Sequence, residues 1–330
     1  MLALRGLKAT TDISLVSGLE YRRIGLLESD KFEQASISTL PAAQNITHQH
    51  ILACVNTKLA AFSRSKKVRI LDVGCGNGEL IAFLSDCLPV LNPELEFEFH
   101  GLDVTDSNVQ ADGFFEGTVQ MLLKRHPDVD WRSRLSLITS TSPWPYEDGY
   151  FDVVMSNQVL EHVADHSRFF SETRRCLMDA GVSLHLFPLI HYIQEGHIHI
   201  PLVHWIKRHG LIQTYIKMMS RLGFGSYKEH REKYGMSLEH YAEEHADYMT
   251  FMTNYLSADE LLSLCKRAGL RADFSFTTDF YRTKVRSILR RPLLYAYRAP
   301  RPWRDMFDFF FLKRVSSITL FIEKKQIYAR

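Results

Sequence analysis

The residues best equipped for chemistry begin with Asp72, Gly74, Cys75, Gly76 and Gly78, inside the stretch Val68 to Leu80, VRILDVGCGNGEL. Glycines at alternate positions allow φ > 0 and let a ligand touch the backbone. Asp72, at the head of the turn, repels a pyrophosphate and suits a cationic or amino-bearing ligand. Asp103 stands 25 positions after Gly78. An acid at the end of a second strand can hydrogen-bond both ribose hydroxyls of a nucleoside, and Asp106 is the rival for that role. A second constellation is imidazole-rich: nine of the 15 histidines lie between His185 and His245. His197 and His199 flank one residue, and on an extended segment alternate residues share a side. The pair reads as metal ligands, as polar contacts to a substrate, or as surface histidines. Glu195 is close, but no acid stands at a convincing ligand spacing, so no metal ligand is assigned.

These residues need elements to hold them. Val68 to Val73 reads as a buried parallel strand running into the glycine turn, and Leu80, Ile81, Phe83 and Leu84 begin a helix. Strand, glycine turn and helix form a nucleotide cradle with the helix N-terminus facing the ligand. The third place after Gly76 holds Glu79, where a dinucleotide fingerprint requires glycine or alanine, and there is no Gly-Lys-Ser/Thr. Asn45 to Ser63 reads as a preceding helix. Glu96 to Val104 is the second strand, Val109 to Arg125 a helix, Leu135 to Ile138 the third strand and Phe151 to Ser156 the fourth. A helix carrying Phe169, Phe170, Thr173 and Leu177 is expected to stop at Ala180-Gly181, before a fifth strand at Val182 to Pro188. Tyr255 to Ala268, capped near Ser257, is a later helix. Leu270 to Phe276 and Ser317 to Glu323 complete the strands. Alternating strands and helices imply a parallel sheet covered on both faces, with ligands at the carboxyl ends of its strands.

The glycine stretch resembles motif I of class I S-adenosylmethionine (SAM) methyltransferases, Asp/Glu-x-Gly-x-Gly-x-Gly. Trp144 to Asp152 resembles that family's turn before strand four. Leu160-Glu161-His162-Val163 resembles the signature of its small-molecule members. The likeness covers Thr47 to Met178 by motif and the C-terminal strands by order alone. It implies an α/β, Rossmann-like seven-stranded methyltransferase sheet, mostly parallel with the last strand antiparallel, helices on both faces, and an inserted acceptor lid. It implies SAM as cofactor, bound by Asp72, Gly74, Cys75, Gly76, Gly78, Asp103, Val104, Ser140, Asn157 and Gln158. Many relatives carry an acid where this chain has Thr139-Ser140-Thr141. His162 is expected on the first turn of the next helix, near the methyl donor, as a catalytic residue with His197 and His199. The expected divisions are 1–45 (an extension), 46–188 (the cofactor core), 189–250 (the lid) and 251–330 (completion of the sheet, with a basic-aromatic insertion at 282–314). The expected acceptor is a hydroxyl of a sugar or glycolipid, with a lipid- or quinone-like molecule as the alternative. A non-catalytic SAM-binding regulator is a reading from another class.

Composition bounds the rest. A chain of 330 residues with 45% apolar content buries a real core, and a net charge of +2 excludes a general polyanion binder. The five cysteines form no CxxC pair, which argues against a disulfide framework and suits the cytoplasm. Arg5 and Lys8 are followed by no continuous apolar core, so a secretory signal is not expected. Between Arg282 and Arg314 stand ten basic and two acidic residues with seven aromatics, a local charge of +8. That composition suits peripheral contact with an anionic membrane, or a solvated surface over core phenylalanines. It also suits single-stranded nucleic acid, but nucleic acid is not expected as a partner.

Overall fold

The computed structural model describes residues 40–41, 43, 45–59, 67–106, 113–298 and 302–324. The expected extension at 1–45, the helix end at 60–63, the helix start at 109–112, and Pro300 and Arg301 lie wholly or largely outside the described residues. All the described helices and strands belong to one unit, Ala43–Arg330.

Helix α1 (Ile46–Leu59) leads to β1 (Lys67–Val73), α2 (Glu79–Leu91), β2 (Glu96–Val104) and α3 (Phe114–Arg125). A single turn, α4 (Trp131–Arg134), precedes β3 (Leu135–Ile138); then come β4 (Phe151–Asn157), α5 (His166–Cys176) and β5 (Leu177–Phe187). The insertion is helical: α6 (His209–Arg221), α7 (Tyr227–Tyr234) and α8 (Leu238–Phe251). The chain closes with α9 (Ala258–Arg267), β6 (Leu270–Asp273), α10 (Thr277–Ile288), α11 (Pro302–Leu312) and β7 (Ile318–Lys324).

The seven strands form one sheet in the order β3-β2-β1-β4-β5-β7-β6. The first five pair in parallel, and β7 enters antiparallel between β5 and β6. The strand order reverses between β1 and β4, which leaves a crevice outside their carboxyl ends. β1 and β4 are almost wholly buried, as central parallel strands must be. One core cluster runs from Leu71 and Val154 through Phe170 and Phe187 to Leu320, Ile322 and Leu261 of α9. The lid carries its own core around Ile200, Ile216 and Tyr241.

Boundaries differ from expectation in places: β6 stops at Asp273, short of Phe276, and the helix after the insertion starts at Ala258, not Tyr255. Helix α5 ends at Cys176, and β5 starts at Leu177 and runs straight through Ala180-Gly181. Gly181 is a packing glycine there, since a Cβ would stand 2.9 Å from the Asp152 carbonyl. Arg175 fixes the corner by donating to the carbonyls of Trp144 and Tyr146 and to Glu172. The segment after β6 is also more ordered than a looped surface. Tyr297 is buried, its hydroxyl meets His50 Nδ1 at 2.9 Å, and its N–H donates to Thr57. The expected cap of α9 is present as a full capping box between Ser257 and Glu260.

Candidate active site

The glycine turn is hung on β2. Gly74 and Cys75 donate N–H bonds to the Leu102 carbonyl at 2.7 and 3.2 Å, and Gly76 donates to Asp103 Oδ2 at 2.7 Å. Gly74 and Gly78 have φ of 74° and 77°. A Cβ on Gly74 would lie 2.4 Å from Val159 Cγ2, so strand four's loop can pass only because that side chain is missing. Thr118 on α3 supports the turn from behind by donating to the Gly76 carbonyl at 2.7 Å. Sequence reasoning had no reason to single out Thr118, which lies 42 positions away.

A cavity of about 650 Å³ opens along the carboxyl ends of β1, β2 and β4. Asp72, Gly74, Cys75, Gly76, Asp103, Val104, Ser140, Asn157, Gln158 and His162 all line it; Gly78 stands just behind, as the N-cap of α2. At one end Ser140 donates its N–H and its hydroxyl to Asp106, at 2.7 and 2.8 Å. Asp106, the rival for the ribose role, is thus tied to the chain after β3 and also lines the cavity. Asp103 already accepts N–H bonds from Gly76 and Val104. Burial raises its pKa against those bonds. Asp72 is 2% exposed, and its Oδ1 has no hydrogen-bond partner. Burial, and then the charge of Asp103, push its carboxyl well above the ordinary range. Gln158 holds φ 57° and donates its N–H to the Leu186 carbonyl, which turns the chain out of β4 toward the cavity. Asn157 donates to Thr47 and keeps Oδ1 unpartnered.

Phe251 and Met252, from the end of α8, also line the cavity. His162 sits on a 3₁₀ turn, Leu160–His162, ahead of α5 and not on its first turn. Its Nδ1–H donates to the Met252 carbonyl at 2.7 Å. The His197 ring lies 5.0 Å from that of His162, centroid to centroid, nearly perpendicular. His197 Nδ1–H donates to Glu195 Oε1 at 2.6 Å, and Glu195 also accepts the N–H groups of His197 and Ile198 and the Tyr255 hydroxyl. Burial alone would raise Glu195, but those bonds outweigh it and hold the carboxyl at about 2. Burial would lower His197, but the bond to Glu195 and its charge outweigh that and raise the imidazole. Burial lowers His162 and raises the neighbouring Glu161 to about 8.

His199 does not join this group. Ile198 and Ile200 point into the lid core, a bridge between Gln194 and Pro201 closes the loop, and His199 is left exposed with φ 56°. The expected shared side for His197 and His199 fails because Glu195 folds the chain at 197 into a turn, and an extended run is not formed. The residues sequence reasoning passed over are Glu161, Glu195 as His197's partner, and Tyr255. Glu161 carried a signal in its place in the Leu-Glu-His-Val signature, and Glu195 in its nearness to the histidine pair.

A family model described as "Methyltransferase domain" matches residues 47–273. The chain belongs to this family. The methyltransferase is also similar in structure to phosphoethanolamine N-methyltransferase 2 of Haemonchus contortus, at 16% identity and a TM-score of 0.38 over 82% of this chain. It spans about half of that chain, 53%. A methyltransferase from Mesorhizobium loti is 13% identical with a TM-score of 0.42, over 81% of this chain and 98% of the other. Geranyl diphosphate C-methyltransferase of Streptomyces coelicolor is 11% identical with a TM-score of 0.38, over 78% and 70%. The cofactor of this class I methyltransferase is SAM, and the residues present fit it. Asp72 offers an unpartnered buried carboxylate oxygen to an amino group, and the glycine turn and Asp103 line the same cavity.

The fit makes cofactor binding pH-dependent. An amino group pairs with ionised Asp72, whose proton is held more tightly before the ligand arrives. Affinity for S-adenosylhomocysteine therefore falls as pH is lowered, and binding releases a proton. Calorimetry in buffers of different ionisation enthalpy reads that proton, and Asp72→Asn abolishes its release. Identical heats in all buffers for the unmodified protein would contradict the pairing.

Proposed function

We propose that this methyltransferase acts on a hydroxyl oxygen of a sugar or glycolipid. The observation that carries the reading is the Glu161, His162 and His197 cluster, which reaches the cavity through His162. When bound, the cofactor supplies an electrophilic methyl on a sulfonium, which leaves sulfur as a neutral thioether while the acceptor oxygen bonds the carbon. The chain's work is to align the acceptor and draw off its proton. Alignment is worth roughly 7–11 kcal/mol. Each histidine has its Nδ1–H committed, to Met252 or to Glu195, so Nε2 keeps the free lone pair. A hydroxyl placed beside His162 in the cavity meets a proton acceptor. His162→Ala and His197→Ala are each expected to lower transfer of labelled methyl to glycan fractions by about 10²–10⁴-fold, with affinity for S-adenosylhomocysteine retained. Undiminished transfer in both would remove the reading.

The acceptor's lipid character is favoured by a separate surface. On α11, Met306, Phe307, Phe310 and Phe311 are all exposed, at helical spacing on one side. Phe309 and Leu312 hold the other side, with Phe309 stacked on Phe274 at 4.2 Å. Ile288 and Leu289, at the end of the contacting helix α10, are 79% and 57% exposed. Arg290 and Arg291 are exposed beside them, and the Arg314 guanidinium lies over the Phe310 ring. Aromatic rings flanked by cations suit an anionic lipid surface. No helix among the described residues is long and apolar enough to cross a membrane. Vesicles with anionic lipid are expected to sediment the protein at low salt and neutral vesicles are not, and Arg290→Glu with Arg291→Glu weakens the binding. Failure to bind anionic vesicles at low salt, or self-association through the same face, would count against the surface role.

A further inference from the structure

We infer that Glu161, His162 and His197 form a binding site for one divalent first-row transition-metal cation beside the cavity, which His162 lines. The site rests on the hydroxyl reading and refines it: the two imidazoles act on the acceptor through the cation and not by taking its proton themselves.

Three observations carry it. One ligand atom from each residue lies within 4.8 Å of the other two. Bonds to zinc are about 2.0–2.2 Å long, so small side-chain rotations bring the three atoms onto a single ion. Secondly, Glu161 is 1% exposed and neither of its carboxylate oxygens has a hydrogen-bond partner. A buried carboxylate is ordinarily paired or coordinated, because an unpaired charge is strongly disfavoured away from water. Nearby donors are committed elsewhere: the Asn254 N–H goes to the Glu161 backbone carbonyl, and the Tyr255 hydroxyl to Glu195.

The third observation is the outer partners of the histidines. A metal-ligating histidine nearly always donates its second ring N–H to a carbonyl or carboxylate, which fixes the tautomer and aims the lone pair. Both forms are present. His162 Nδ1–H donates to the Met252 carbonyl at 2.7 Å, and His197 Nδ1–H donates to Glu195 at 2.6 Å. Glu195 is itself held by two backbone N–H groups and Tyr255, so His197 is aimed by a fixed base. Two imidazoles and one carboxylate with open positions are the donor set of catalytic zinc and of other divalent first-row ions. His162 lines the cavity, so the open positions are available to oxygens of an acceptor. An acceptor hydroxyl bound to the cation loses its proton to water at lower pH than a free one, and the resulting alkoxide is the nucleophile.

The test uses the full chain stripped with a chelator and titrated with Zn²⁺ in competition with a chromogenic zinc indicator, with Co²⁺ absorption as the spectroscopic readout. The expected result is one tight equivalent per chain and tetrahedral-type cobalt bands. Glu161→Gln and His197→Ala are each expected to weaken zinc by about 10–100-fold or more, while S-adenosylhomocysteine affinity and melting temperature verify folding. Equal zinc uptake by the unmodified chain and both variants would overturn the site, since the other histidines would then account for it. Full methyl transfer by protein shown to be metal-free would overturn the cation's role and leave the histidines as bases. Failure of the hydroxyl reading looks different: zinc binds as expected and no oxygen acceptor is labelled.

Discussion

Gly76→Arg is expected to abolish cofactor binding, with a loss of at least about 100-fold, or about 2.7 kcal/mol. Gly76 lines the cavity at φ 50°, a conformation that already disfavours a side chain. Its N–H is bonded to Asp103, so the backbone cannot move aside without releasing the turn from β2. An arginine there would carry its guanidinium across the space between Asp72 and Asp103 and occupy both carboxylates. The core of the insertion and the β5–β7 pairing are built from other residues, so the fold is expected to be retained. Calorimetry with S-adenosylhomocysteine and a thermal melt separate the two effects. Affinity within a few-fold of the unmodified protein would mean that the glycine turn is not the cradle.

The second large effect is on stability. Glu195→Ala removes the acceptor of two backbone N–H bonds, the His197 Nδ1–H and the Tyr255 hydroxyl from a site only 1% exposed. Leaving buried donors without their acceptor costs about 1–3 kcal/mol each, and the partly exposed His197 adds less because water reaches it. The lid is the element that loses it, since Ile198 and Ile200 enter the lid core directly beyond the turn. We expect a fall in melting temperature of at least about 5 °C. Glu195→Gln keeps one acceptor oxygen and is expected to fall between. A melting temperature unchanged in Glu195→Ala would show that the turn is held by something other than this carboxylate.

The parts of the site legible in the sequence are those in which chemistry and element coincide along the chain. Asp72, the glycines and Asp103 sit at the ends of strands whose apolar runs announce them, and Ser257 with Glu260 spells out its own capping box. The acceptor end is built through space, and that is why it was harder to read. His162 meets Met252 across 90 positions, and Tyr255 meets Glu195 across 60. No periodicity encodes such contacts. Alternation misled at His199 for a local reason, since a carboxylate that caps the next N–H groups converts an extended run into a turn. The start of β5 misled for a converse reason. Ala180-Gly181 looks like a helix stop, but Gly181 is demanded by the close Asp152 carbonyl within a strand.

The most direct test of the central claim is transfer of labelled methyl from SAM to cell-extract fractions separated into lipid, glycan, protein and nucleic acid. The expected result is label in the glycan or glycolipid fraction, stable to mild base and recovered after acid hydrolysis as an O-methyl sugar, and lost with Gly76→Arg. Label confined to protein or nucleic acid, or no label in any fraction from a chain that binds the cofactor, would contradict it.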